Sequence, residues 1–239
     1  MISHHLPMAD FAVFDTRNYR TVDVATGYDG WSATYDGTVL DAMDLALLER
    51  LDPGDLNGTR AADLGCGTGR TGEWLRSRGT ARIDGVDLST GMLDLARSRG
   101  AHDTLARADV RESGLASSAY DTVAASLIDE HLPDTAPLYA EAARLARPGG
   151  RFLLAAYHPH FAMVSGMPTH YTDDSGQDVA ITTHVHLVSD HVRAALAAGW
   201  QLSGMVEGTV DDTWIAAKPK WERFRGHPVS LALAWYLPA

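Results

Sequence analysis

Three glycines spaced two apart, Gly65, Gly67 and Gly69, lie in the run Asp63-Leu64-Gly65-Cys66-Gly67-Thr68-Gly69. Glycine allows a backbone to approach a ligand closely, and the spacing narrows which ligand. A dinucleotide fingerprint requires its third glycine at position 70. Here that position is Arg70, whose side chain would crowd close helix–strand contact. A phosphate-cradling loop needs a Gly-Lys-Ser/Thr ending, which is absent. Asp63 adds a charge argument. A carboxylate where the strand enters the loop is unhelpful beside a pyrophosphate, and it suits a ligand carrying an ammonium and a sulfonium. Asp87 follows Gly65 by 22 positions, and an acid at about 20 residues accepts hydrogen bonds from ribose hydroxyls. Asp109 could accept from an adenine amino group. Met92 could either floor the adenine or belong to the core. Cys66 stands among the loop's ligand contacts, its thiol reading as a packing group rather than a nucleophile.

Such residues work only if strands deliver them to one edge. Residues 60–64 read as a strand, 70–78 as a helix closed by Gly79, and 81–86 as a second strand. Ser89 is placed to cap a helix that ends at Gly100. Strands follow over 104–108 and 122–127, then a helix over 136–146 and a strand over 151–157. This alternation implies α/β architecture, a parallel sheet covered on both faces. Ligands of such sheets bind outside the carboxyl ends of the strands. Residues 39–51 carry apolar side chains at helical spacing, and residues 1–18 carry no clear periodicity. Toward the end, 179–188 looks extended, Ser189 is placed to cap a helix to Ala198, and 200–207 and 229–236 pair as antiparallel strands. No linker divides the chain, so 1–239 is expected to be one domain. Residues 1–55 would form an N-terminal helical lid, and 157–180 and 208–228 insertions over the sheet's carboxyl edge.

In order and spacing these segments resemble the class I S-adenosylmethionine-dependent methyltransferase family, over roughly residues 58–157. Asp63 to Gly69 matches the family's first motif. Gly85-Val86-Asp87-Leu88-Ser89 is similar to its ribose-binding motif, Ala108-Asp109-Val110 to its adenine-contacting segment, and Arg147-Pro148-Gly149-Gly150-Arg151 to the turn before strand five. The resemblance implies a Rossmann-like, seven-stranded, mostly parallel sheet with an antiparallel last strand. It also implies S-adenosylmethionine as methyl donor and S-adenosylhomocysteine as product. Expected cofactor contacts are Asp63, Gly65, Cys66, Gly67, Gly69, Asp87, Leu88, Met92, Asp109, Val110 and Leu127. Tyr28-Asp29 and Tyr35-Asp36 match the Tyr-Asp pairs that form a cofactor lid in small-molecule members, which adds Tyr19 and Tyr28.

Methyl transfer is an in-line displacement, so the protein must hold the nucleophile aligned and remove its proton. The strand-four end reads Ser126-Leu127-Ile128-Asp129-Glu130-His131. It lacks the Asp/Asn-Pro-Pro-aromatic motif of amide- and base-nitrogen methylation. His131 is placed as general base, with Asp129 two residues earlier to orient it. His158 and Tyr28 are the other catalytic candidates. A surface turn would equally explain Asp129 and His131. The acid pair with Asn of the metal-dependent catechol type is not found below this edge, so no catalytic metal is expected. His-x-His at His184 and His186 is a common zinc pair, but thiolate partners are absent and the acids lack a fixed spacing.

Hydrophobic residues make up 45% and charged residues 21%, with a net charge of -11, as in a globular protein that repels phosphate backbones. No run of about 18 apolar residues spans a membrane, residues 1–7 lack signal-peptide regions, and Cys66 is the only cysteine. A cytoplasmic monomer or homodimer acting on a small molecule is therefore expected, without nucleic-acid or membrane partners. Phe161, Tyr171, Trp214 and Trp221 suit a flat aromatic or heteroaromatic acceptor, an indole among the candidates, methylated at O, N or C. The Ala-, Arg- and Asp-rich composition is similar to that of actinobacterial proteins, which by association points to natural-product biosynthesis. The alternatives are a protein or RNA methyltransferase, or a cofactor-binding protein of another activity such as a cyclase.

Overall fold

The computed structural model describes residues 11–239, so the expectation for residues 1–7, and most of that for 1–18, lies outside the described residues. The strands are β1 (Arg20–Val22), β2 (Arg60–Leu64), β3 (Arg82–Asp87), β4 (Thr104–Arg107), β5 (Tyr120–Ser126), β6 (Ala146–Tyr157), β7 (His170–Thr172), β8 (Asp178–Ile181), β9 (Gln201–Thr209) and β10 (Pro228–Tyr236). The helices are α1 (Val24–Trp31), α2 (Leu45–Arg50), α3 (Arg70–Ser77), α4 (Thr90–Arg99), α5 (Ala136–Leu145), α6 (Pro159–Ser165), α7 (Val188–Ala197) and α8 (Asp212–Ala217). Seven strands form one sheet in the order β4-β3-β2-β5-β6-β10-β9, and β10 runs antiparallel to both neighbours. The other pairings are parallel. The expected α/β fold with a reversed last strand is therefore present.

Alternation along the central strands builds two cores. On β6 and β10, Phe152, Leu154, Leu231, Leu233 and Trp235 face one side and join Leu138, Tyr139 and Ala142 of α5. Leu153, Ala155, Ala232 and Ala234 face the other and join Leu47, Leu48, Trp74 and Leu75 of α2 and α3. A period of two thus buries both faces of the sheet. Ser89 caps α4 by accepting from Met92 N at 3.1 Å, and Gly100 ends it at φ 72°. The left-handed exit is a conformation that glycine adopts without steric cost.

Two local expectations need correction. The helix expected over 39–51 is split, with a 3-10 turn at Asp41–Met43 before α2. Asp44, at φ -137° and ψ -69°, breaks the spiral, and its side chain accepts from Leu45 N. Helix α7 starts one residue before Ser189, and the carboxylate of Asp190 accepts from Leu187 N at 2.8 Å in place of a serine cap.

A second, three-stranded sheet, β1-β8-β7, joins the N-terminal segment to the 157–180 insertion. It packs Val179 and Ile181 against Trp31 and Tyr171. The 208–228 segment supplies Trp214, Trp221 and Phe224 to a neighbouring cluster with Phe161 and Leu127. Both insertions thereby wall the carboxyl edge of the main sheet. Among the described residues no helix is long and apolar enough to cross a membrane.

Candidate active site

Strand order reverses direction between β2 and β5, and ligands of open α/β sheets bind at such switch points. A cavity of about 130 Å³ lies there, lined by Gly65, Gly67, Asp87, Leu88, Met92, Asp109, Val110, Leu127, Tyr28 and His131 among others. Gly65 and Gly67 hold φ of 69° and 52°. A Cβ built on Gly67 meets nothing within 4 Å, so this residue opens the space beside the loop. Asp87 Oδ2 accepts from Gly67 N at 2.9 Å, and Oδ1 accepts from Ser89 N at 2.8 Å. Burial pushes the Asp87 carboxyl up, against these two bonds. Asp109 is held by Arg111, whose Nε and terminal nitrogen donate at 2.9 and 2.6 Å. These bonds keep the Asp109 carboxyl below its ordinary range.

Four expected cofactor contacts do not line this cavity. Asp63 is fully buried, with Oδ2 2.9 Å from His102 Nε2, and it does not line the cavity. Cys66 packs its thiol against Leu93 and Ala96, as a small packing residue would. Gly69 caps α3 at φ 90°, and a Cβ there would lie 3.2 Å from the Ala96 backbone, so it serves helix contact. Tyr19 stands against His170, with ring centroids 5.3 Å apart, outside the cavity.

The two Tyr-Asp pairs divide their work. Asp29 Oδ1 accepts from Ser89 Oγ at 2.6 Å and Gly91 N at 2.9 Å. Asp36 Oδ1 accepts from Thr68 Oγ1 at 2.6 Å, and Asp36 also pairs with Arg99. The acids thus staple the lid to α4 and the glycine loop, while Tyr28 and Tyr35 line the cavity. Arg70, absent from dinucleotide fingerprints, ties the lid to α3 through Asp41 and Asp44 at 2.6 and 3.0 Å.

A second cavity, of about 620 Å³, shares Tyr28, Tyr35 and Leu127 with the first. Leu127 sits at φ 54°, a left-handed conformation that costs a branched residue energy and often marks a functional wall. Aromatic residues Trp31, Tyr157, Tyr171, Trp214 and Trp221 line the larger space.

Between the cavities lies a polar cluster. Tyr28 Oη is 2.8 Å from His131 Nε2, and His131 Nδ1 is 2.7 Å from Thr182 O. A carbonyl only accepts, so Nδ1 carries the proton and Tyr28 donates to Nε2. Burial lowers the His131 pKa from 6.5 to about 4, so the ring is neutral near pH 7. Burial also pushes the Tyr28 phenol up. Glu130, unnoticed in the sequence beside two stronger candidates, lies with Oε1 3.7 Å from His131 Nε2. It lines the larger cavity, and burial and then Asp129 push its carboxyl well up. Its only sequence signal is its place in the strand-four end.

Two catalytic assignments are corrected. Asp129 does not orient His131, which takes its tautomer from Thr182. The Asp129 carboxylate lies 3.4 Å from His191 instead. His158 caps α6, accepting from His160 N at 3.1 Å, and its Nε2 meets Glu207 at 3.0 Å. It lines neither cavity. His186 Nε2 donates to Leu132 O at 2.8 Å, so that ring is committed to the fold.

A reversed strand beside five parallel ones, with a ligand cavity at the switch point, defines an α/β protein of the nucleoside-binding kind. Residues 62–154 match the family described as Methyltransferase domain. The chain is 31% identical to the malonyl-[acyl-carrier protein] O-methyltransferase of Serratia marcescens, over 77% of this chain and 69% of that protein. It is 28% identical to an uncharacterised methyltransferase of Emericella nidulans, over 81% of each. A solved S-adenosylmethionine-dependent methyltransferase from Mesorhizobium loti superposes with a TM-score of 0.64 at 26% identity, covering 82% of this chain and 97% of that one. The chain belongs to the class I S-adenosylmethionine-dependent methyltransferase family, and S-adenosylmethionine is its cofactor. The residues fit that group: the open space at Gly67 and the half-buried Asp87 at the end of β3 leave room and an acceptor for an adenosyl ligand.

Proposed function

We propose that the chain methylates a small, flat, aromatic or heteroaromatic molecule at oxygen, nitrogen or carbon, an indole-containing ring being one candidate. The observation that carries this reading is the Tyr28–His131 pair at the seam between the two cavities. In this reading the bound cofactor supplies an electrophilic methyl group on a sulfonium. Asp87 takes the ribose hydroxyls, Asp109 and Val110 the adenine edge, and Leu88 and Met92 its faces. The aromatic walls of the larger cavity hold the acceptor ring, and its volume suits a small molecule rather than a chain segment.

Tyr28 handles the proton. Its oxygen accepts from the acceptor's O–H or N–H while its own proton passes to His131 Nε2. A neutral imidazole with a depressed pKa is a weak base, and a weak base is sufficient here. The acceptor's proton becomes strongly acidic only as the new bond to the methyl carbon forms, so transfer follows the displacement. Glu130 hydrogen-bonds a polar atom of the acceptor from the cavity wall. The single buried cysteine suits a reducing compartment such as the cytoplasm, and the secondary-metabolite setting rests on composition alone.

Transfer of labelled methyl from S-adenosylmethionine to a panel of phenols, anilines and indoles tests the reading. Tyr28→Phe and His131→Gln should each lower kcat by about 10²–10⁴-fold while leaving S-adenosylhomocysteine affinity within about twofold. Unchanged kcat in both variants would remove the proton-relay assignment.

A further inference from the structure

We propose that the acceptor carries an anionic group, a carboxylate or a phosphate, which Lys218 and Lys220 hold at the wall of the larger cavity. The inference rests on reading that cavity as the acceptor site.

The charge distribution carries it. The chain has 31 acids and a net charge of -11. Lys218 and Lys220 are the only lysines in the sequence, and both line this cavity. Glu130 is the only carboxylic acid among its described lining residues, and burial pushes that carboxyl well up, away from its charged form. Two lysine charges outnumber it in any case. The cavity is therefore positive inside an acidic protein. A low-dielectric concavity lined by one sign of charge focuses that field on an entering anion.

Neither lysine is neutralised by the fold. Arginines pair widely with acids, as Arg70, Arg99, Arg144 and Arg225 do. No ion pair within 4 Å involves either lysine among the described residues. Asp178 feels the charge of Lys220, but its carboxylate accepts from Thr172 Oγ1 at 2.8 Å and also bonds Tyr19. Lys218 donates to Thr38 O at 2.9 Å, which leaves two of its three N–H groups. Burial and the neighbouring Lys220 both lower its pKa, a cost that an anion between them would relieve.

The position is also fixed. Pro219 joins the two lysines and restricts the backbone between them. Lys218 Nζ lies 5.5 Å over the Trp221 ring, and Trp221 stacks on Trp214 at 4.8 Å and on Phe161 at 4.9 Å. An apolar floor thus meets a cationic rim, which fits a ring with a charged substituent.

The test uses a matched pair of fluorescent probes on the whole protein, with and without S-adenosylhomocysteine. These are 8-anilinonaphthalene-1-sulfonate and its uncharged parent N-phenyl-1-naphthylamine. The sulfonate should bind at least about tenfold more tightly than the parent, with the preference shrinking in high salt. K218Q/K220Q should abolish the preference and K218R/K220R should retain it. Lys220→Gln alone, at an exposed side chain, should reduce it without disturbing the Lys218–Thr38 bond. Displacement by phenyl phosphate or by benzoate, with benzamide inert, tells which anion is preferred. Equal sulfonate affinity in wild type, Lys220→Gln and the folded double glutamine variant would overturn the inference. Calorimetry with S-adenosylhomocysteine on the same samples keeps the two claims apart. Lost preference with intact cofactor binding sinks only the anion site, whereas absent cofactor binding sinks the transfer reading and leaves the probe result standing.

Discussion

His131 illustrates how one burial decision sets both chemistry and stability. Its folded pKa of about 4 lies below the ordinary 6.5, so the unfolded chain binds a proton that the folded chain refuses between those values. The stabilisation is complete above pH 6.5 and is lost as pH falls toward 4, by about 3 kcal/mol. Glu130 acts in the opposite direction. Its raised carboxyl stabilises the fold below the ordinary carboxylate range and costs stability as pH rises through its folded value. Wild-type melting temperature should therefore fall more steeply between pH 6.5 and 4 than that of His131→Gln. Parallel curves would mean that His131 is not held neutral by burial. At this scale the sequence was informative about type and less so about partners. That Gly65, Gly67, Asp87 and Asp109 meet at one cavity is legible in the sequence, because spacing after a strand fixes where a side chain emerges. The orientation of His131 is not, because Thr182 lies 51 residues further on and acts through its backbone, which carries no side-chain signature. The Asp63–His102 contact is hidden for a related reason: His102 comes from the loop before β4, and no local pattern announces that pairing.

At the scale of elements, the lid is the part that the sequence half disclosed. The Tyr-Asp spacing marked α1 and the turn after it, but the acids bind the protein and only the tyrosines face the cavities. Asp29 accepts two hydrogen bonds at the first turn of α4, where a negative charge also complements the helix dipole. Asp29→Ala should loosen α1 on α4 and raise the KM for S-adenosylmethionine by about tenfold with little change in kcat at saturation. A fall in kcat at unchanged KM would instead place Asp29 in the chemistry. The main-sheet strands were legible because their runs are short, apolar and bounded by turn residues. The β1-β8-β7 sheet was not, since it pairs Arg20–Val22 with residues some 159 positions away and short exposed strands leave little alternation to read. The α2 boundary leaves no mark in the sequence, because an apolar period of 3.6 persists through Asp44, whose backbone departs from it.

At the scale of the molecule, a two-sided core holds the switch point rigid while separate clusters close over it. Phe152, fully buried on β6 among Tyr139, Trp200 and Trp235, belongs to the frame and touches neither cavity. Phe152→Ala should cost about 3–5 kcal/mol of unfolding free energy, a large share of the roughly 5–15 kcal/mol typical of a domain. It should leave kcat of the folded fraction unchanged. A selective loss of kcat without destabilisation would contradict that division between frame and site. Methyl transfer at this switch point requires the cavity beside Gly67 to hold the cofactor. Calorimetric titration with S-adenosylhomocysteine tests this most directly, comparing wild type with Gly67→Ala, whose added methyl would enter the open space beside the loop. Saturable micromolar binding by wild type, weakened at least about tenfold in a Gly67→Ala protein that still melts cooperatively, is the expected result. No heat of binding at millimolar ligand, or equal affinity in the two proteins, would contradict it.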